Sequence, residues 1–220
     1  MKPILELKVH PGSKSQAFQE SFVLSVLNSK KNGYFLEIGG ADGLEASNTF
    51  LLENDFAWKG LALEWDKALH SKYESNRKTT CLCLDATTWN ASEILAKQNF
   101  PSQIDYLQLD IDPANQTLAA LINLPHEDYR FSIITFEHDF YVERNPFVRD
   151  QSRKFLSSLD YFMVFGNVAT QGRVFEDWYI DARLDLGYIN SLPLAENTEA
   201  STIFYNKIDS SVLDLDGFNQ

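Results

Sequence analysis

The sequence predicts an α/β chain, with strands and helices alternating into a three-layer sandwich around an open, mostly parallel sheet. Three observations carry this. Short apolar runs of strand length recur with helix-compatible sequence between them. Five of these runs end on a carboxylate, at Glu37, Glu64, Asp85, Asp110 and Glu137, and the spacings of 27, 21, 25 and 27 residues are each one strand–helix unit. The first run is followed by Gly39-Gly40-Ala41-Asp42-Gly43, a turn in which backbone can approach a ligand closely. With right-handed crossovers the five acids emerge along the carboxyl edge of one sheet, where ligands bind in folds of this kind.

Taken in order, residues 14–29 follow a Pro11-Gly12 break and place Phe18, Phe22 and Val26 four apart, which predicts an amphipathic helix lying on the sheet. Tyr34 to Ile38 reads as the first strand, 46–54 as a helix, and Gly60 to Leu63 as the second strand, ending on Glu64. A crossover helix over 66–76 leads to a third strand, Thr79 to Leu84, before Asp85. Cys81 and Cys83 share a face of that strand and read as packing residues, since a disulfide across so short a loop would be strained. Asn90 and Glu93 have the spacing of a capping box for a helix to about residue 98. Ile104 to Leu109 and Phe131 to Phe136 are the fourth and fifth strands, with a helix from Pro113 to about Leu121 between them. Beyond 140 the pattern loosens into a helical segment over 145–158 and two late strands, Tyr161 to Val168 and Thr202 to Tyr205.

The length of 220 residues and a 44% hydrophobic composition suit one domain with a sizeable core, residues 1–32 forming a helical extension and 209–220 a flexible acidic tail. Lys and Arg total 19 against 31 Asp and Glu, a net charge of −12, which argues against a phosphate-tracking groove and so against a nucleic-acid partner. No apolar stretch has the length of a signal peptide or a membrane span, so a soluble cytoplasmic protein is expected, with a homo-oligomer left open.

Strand, glycine turn, helix, strand and acid describe half of a nucleotide-binding fold, with Glu64 placed to accept both hydroxyls of a ribose. The third glycine of a pyrophosphate fingerprint is missing, because Leu44 holds that position. Acid-x-Gly-x-x-x-Gly, here Glu37-Ile-Gly39-Gly-Ala-Asp-Gly43, instead resembles the first motif of class I S-adenosylmethionine-dependent methyltransferases. Ser47-Asn48-Thr49, Trp58-Lys59-Gly60, the run Asp105 to Asp112, Phe136-Glu137-His138 and Glu176-Asp177-Trp178 are similar to the FkbM-like branch of that family. The chain departs from the branch at Gly40, where an alanine-like residue is usual, and at Pro113, where glycine is common after the acid.

The resemblance implies a Rossmann-like fold with a seven-stranded sheet, the two late strands forming an antiparallel edge pair. It implies S-adenosylmethionine as cofactor, with Glu37, Gly39 and Gly43 at its methionine end, Glu64 at the ribose, Asp85 and Ala86 at the adenine edge, and Gly40, Asn48, Trp65 and Asp110 also binding it. O-methylation of a small-molecule hydroxyl, on a sugar or another metabolite, then needs proton removal at the fourth and fifth strand ends. Asp110 and His138 are the candidate catalytic residues, and Asp110, Glu137 and Asp139 the candidate ligands of a Mg²⁺ ion, because crowded carboxylates repel unless a cation is shared. Trp178 and Tyr179 are expected to wall the acceptor pocket or to be core. Without chemistry, the glycines read as turn residues and the carboxylates as solvated strand ends. A nicotinamide-dependent oxidoreductase and a non-catalytic binding protein of the same fold stay open as alternatives.

Overall fold

The computed structural model describes residues 7–184 and 194–204. The expected tail at 209–220 and the first six residues lie outside them. The elements are α1 (Gln19–Val26), β1 (Tyr34–Ile38), α2 (Phe50–Phe56), β2 (Lys59–Leu63), α3 (Lys67–Asn76), β3 (Thr80–Leu82), α4 (Ala91–Lys97), β4 (Gln103–Leu109), α5 (Ala114–Asn123), β5 (Arg130–Glu137), α6 (Phe140–Glu143), α7 (Phe147–Ser158), β6 (Tyr161–Thr170), β7 (Arg173–Asp181), β8 (Ala195–Glu196) and α8 (Ala200–Ile203). One sheet runs in the order β3-β2-β1-β4-β5-β7-β6-β8, so it has eight strands where seven were expected. Strands β1 to β5 are parallel, which puts the ends at Ile38, Leu63, Leu82, Leu109 and Glu137 on one edge.

Alternation along the strands splits the core into two layers. Leu36, Ile38, Leu107, Leu109, Ile134 and Phe136 face α4, α5 and α7. Phe35, Tyr106, Ile133 and Trp178 face the opposite way, onto α1 and α2. Helix α1 is buried almost all round, with Phe22 stacked on Trp178 at 4.7 Å. It is shorter than expected because Phe18 before it, and Asn28 and Ser29 after it, adopt left-handed backbone that a helix cannot contain.

The late strands pair differently from the prediction. Strand β6 turns back through Gln171-Gly172, both with positive φ, into β7, which inserts antiparallel between β5 and β6. A two-residue turn of that handedness matches the twist of a hairpin. The segment expected as the last strand instead forms α8, and Tyr205 lies outside the described residues. Strand β7 was obscured in the sequence by Glu176, Asp177 and Asp181, which are buried and partnered rather than solvated. Trp178 and Tyr179, expected to wall an acceptor pocket or to be core, are core residues on opposite faces of it. Strand β3 stops at Leu82, so Cys81 is buried while Cys83 is exposed, and both are free thiols.

Candidate active site

Four parallel strand ends build a cleft of about 660 Å³. At the first, Gly39 adopts φ +90°, and the N–H groups of Gly39 and Gly40 both donate to the Leu63 carbonyl at 3.0 Å. The Asp110 N–H donates to the Ile38 carbonyl at 2.9 Å, so the loop is drawn under the end of β4. A Cβ on Gly39 would lie 1.6 Å from the Asp110 carbonyl oxygen, so glycine is required here by both conformation and space.

Glu64 closes the second strand end. It is buried, with Oε2 accepting from the Ala41 N–H at 2.9 Å and Oε1 from the Asp66 N–H at 2.8 Å, and this ties the glycine turn to β2. Trp65 beside it is 72% exposed on the rim. Asp66 then caps α3 through the N–H groups of Ala68 and Leu69. Asp85 stands at the third strand end, its Oδ1 accepting from the Thr87 hydroxyl and N–H, which hold its carboxyl below the usual range. Ala86, Asp110, Ile111 and Asp112 complete the lining with Leu84, Thr87 and Gln116. Thr87 and Gln116 were not foreseen. The Asp-x-Thr spacing, which closes an Asx turn, is a signal that could have found the first.

Of the ten residues predicted at the cofactor, Gly39, Glu64, Trp65, Asp85, Ala86 and Asp110 line the cleft, and four do not. Glu37 is buried below it, accepting from Thr49 Oγ1 at 2.8 Å and the Tyr73 hydroxyl at 2.7 Å, with burial raising its pKa. Gly40 and Gly43 back onto Tyr73, whose ring a Cβ at either position would meet within 3 Å. Asn48 is buried, and its Oδ1 has no partner among the described residues. The reason is Arg77. Its guanidinium donates to the Gly43 carbonyl, Ser47 Oγ and both oxygens of Thr49, folding residues 43–49 back onto α3 so that α2 starts only at Phe50. Nothing local in the sequence marks Arg77 for this role.

At the fourth and fifth strand ends the acids meet. Burial lifts Asp110 to about 6, and burial together with the Asp110 and Asp139 charges raises Glu137 well above the usual carboxylate range. Asp139 is raised by burial as well. The Asp110 and Asp139 charges act on Glu137, so the three carboxyls are neighbours. Among the described residues no three His, Cys, Asp or Glu side chains converge to hold a metal ion, so the expected Mg²⁺ ligand set of Asp110, Glu137 and Asp139 is not assembled.

His138, the expected base, lines no cavity. It is buried, its Nδ1 accepts from the Phe140 N–H at 3.3 Å, and its Nε2 lies 3.4 Å from Asp177 Oδ1, off-line for a hydrogen bond. Both ring nitrogens therefore face protein. Asp177 is held well below the usual range, despite burial, by Arg153 and His138.

A second cavity of about 230 Å³ opens on the far side of Glu137, lined by Gln16, Glu137, Tyr141, Thr170, Gln171, Arg173 and Phe175. Neither the cavity nor Arg173 was predicted, because it is assembled by the N-terminal segment, β5 and the β6–β7 turn.

No protein-family model matches the chain, and no curated protein matches it. Solved structures do. A putative rRNA-methylase from Clostridium thermocellum superposes with a TM-score of 0.53 at 9% identity, over 76% of this chain and 96% of that one. The METTL16 MTase domain gives 0.52 at 13% identity over 74% of this chain, which spans 66% of the METTL16 domain. The fibrillarin/Nop5p complex gives 0.50 at 13%, covering 77% and 81%. The chain thus has the α/β Rossmann-like methyltransferase fold. Among the described residues, no helix is long and apolar enough to cross a membrane.

Proposed function

We propose that the chain binds S-adenosylmethionine in the 660 Å³ cleft and methylates a hydroxyl group of a small molecule, as the FkbM-like resemblance implies. The observation that carries this reading is the cleft itself: Asp85, Glu64 and Asp110 stand on its wall at the ends of β3, β2 and β4, where the reading would put adenine, ribose and methionine. The residues present fit that cofactor. The Gly39 cradle admits backbone-close approach where any Cβ would collide with Asp110, and the buried acids around Asp110 favour a cation. The cofactor would supply a methyl group activated on a sulfonium.

The chain's own residues would orient and deprotonate. Glu64 and Asp85 would hold the nucleoside, and the exposed Trp65 would cover it. Asp110, poised at about 6, would accept the hydroxyl proton, a value suited to a general base near neutral pH. His138 would act as a positioning residue that fixes the Phe140 turn and Asp177. The net charge of −12 supports a small acceptor over a nucleic acid, although the similar structures include a putative rRNA-methylase.

Calorimetry with S-adenosylmethionine, its demethylated product and NADH tests the reading. The first two are expected to bind and NADH not, and Glu64→Ala is expected to weaken cofactor binding at least tenfold. NADH binding tightly while the sulfur compounds give no heat would end it. EDTA is expected to leave turnover unchanged.

A further inference from the structure

The two cavities are lined by neighbouring acids: Asp110 lines the cleft, Glu137 lines the smaller cavity, and each perturbs the other's carboxyl. The smaller cavity also carries polar groups with nothing to bind. Thr170 Oγ1 is buried without a partner among the described residues, and buried polar atoms in that state call for a ligand or water.

Arg173 is the more telling group. Arg77, Arg130, Arg149, Arg153 and Arg183 each lie within 4 Å of a carboxylate. Arg173, an exposed residue lining the cavity, has no such carboxylate among the described residues, and neither has Arg144, which lines neither cavity, in a chain with a net charge of −12. Its guanidinium lies 5.9 Å from the Tyr141 ring centre, and the turn before it is pinned by the Gly172 N–H donating to Glu199 Oε1 at 2.6 Å. A guanidinium left unpaired in a concave, polar site is matched to a planar or tetrahedral oxyanion, which it can grip through parallel hydrogen bonds.

We infer that the smaller cavity is the acceptor pocket, and that the acceptor carries an anionic group, carboxylate or phosphate, which Arg173 grips while the acceptor's hydroxyl points across Glu137 toward Asp110. The inference rests on the methyl-transfer reading for the word acceptor, but the anion site stands on its own.

The test is titration of the full ¹⁵N-labelled chain with malonate, inorganic phosphate, methylammonium and glycerol at matched ionic strength. Malonate or phosphate is expected to shift the Arg173 Nε–Hε signal and the Thr170 and Gln171 amides, and the tighter of the two names the anionic group. Arg173→Gln should weaken this at least tenfold, with Arg173→Lys recovering part of it. Equal binding to wild type and Arg173→Gln, shifts centred elsewhere, or methylammonium binding the same residues more tightly would each overturn the proposal. If cofactor binding persists while the anion site fails, this inference falls alone. If the anion binds and the cofactor does not, it is the methyl-transfer reading that falls.

Discussion

Replacing Gly39 by alanine should be far more damaging than the same change at Gly172, though both glycines have positive φ, +90° and +73°. At Gly172 a Cβ meets nothing within 4 Å, so the cost is conformational, about 1 kcal/mol. At Gly39 the Cβ would be 1.6 Å from the Asp110 carbonyl oxygen, and reaching an ordinary contact of ~3.5 Å means moving backbone by about 2 Å. That displacement breaks the bonds from Gly39 and Gly40 to Leu63 and from Asp110 to Ile38. At about 1 kcal/mol each, on top of the conformational cost, Gly39→Ala should lose about 4 kcal/mol. For a chain of this size that is roughly 8–16 °C in Tm, against roughly 2–4 °C for Gly172→Ala. Urea melts and thermal melts of the two variants measure it. Losses within ~1 kcal/mol of each other would show that the first loop does not cross beneath the end of β4, and the cleft described here would lose its floor.

Three further outcomes are expected. Burial raises Glu176 from 4.5 to about 8, so the native chain keeps a proton that the unfolded chain gives up. The stability held below pH 4.5 is then lost progressively up to pH 8, by about 5 kcal/mol. Glu176→Gln keeps an acceptor for the Gln19 amide and the Trp178 indole, and it should flatten the fall in Tm between pH 5 and 8. Arg77→Lys should cost about 3 kcal/mol by chemical denaturation, because an ammonium cannot reach Gly43, Ser47, Thr49 and Glu53 from one position. Trp65→Ala should leave the urea midpoint nearly unchanged, since the side chain is 72% exposed, and should weaken cofactor binding by calorimetry.

The first five strands were legible because their signals are local. Tyr34–Ile38 carries its own apolar run and its glycine turn, and β4 and β5 were read to within a residue at each end. The same locality explains the failures. The Gln171-Gly172 turn is short, and the acids of β7 look like surface residues until Arg153, Gln19 and Arg130 are folded against them. His138 read as a base because its sequence neighbours are acids. Its actual surroundings are Phe140 and Asp177, thirty-nine residues further on.

By itself, then, the order of residues determined an alternating α/β chain and the row of acids on one sheet edge, since apolar period and strand length are properties of neighbouring residues. Which acids reach the cleft was decided only by the tertiary structure. Glu37 was turned inward by Tyr73 and Thr49, and Arg77 drew the loop away from the site. The smaller cavity, with Arg173 on its wall, exists only where the N-terminal segment, β5, α6 and the β6–β7 turn meet, a convergence that no stretch of the chain encodes alone.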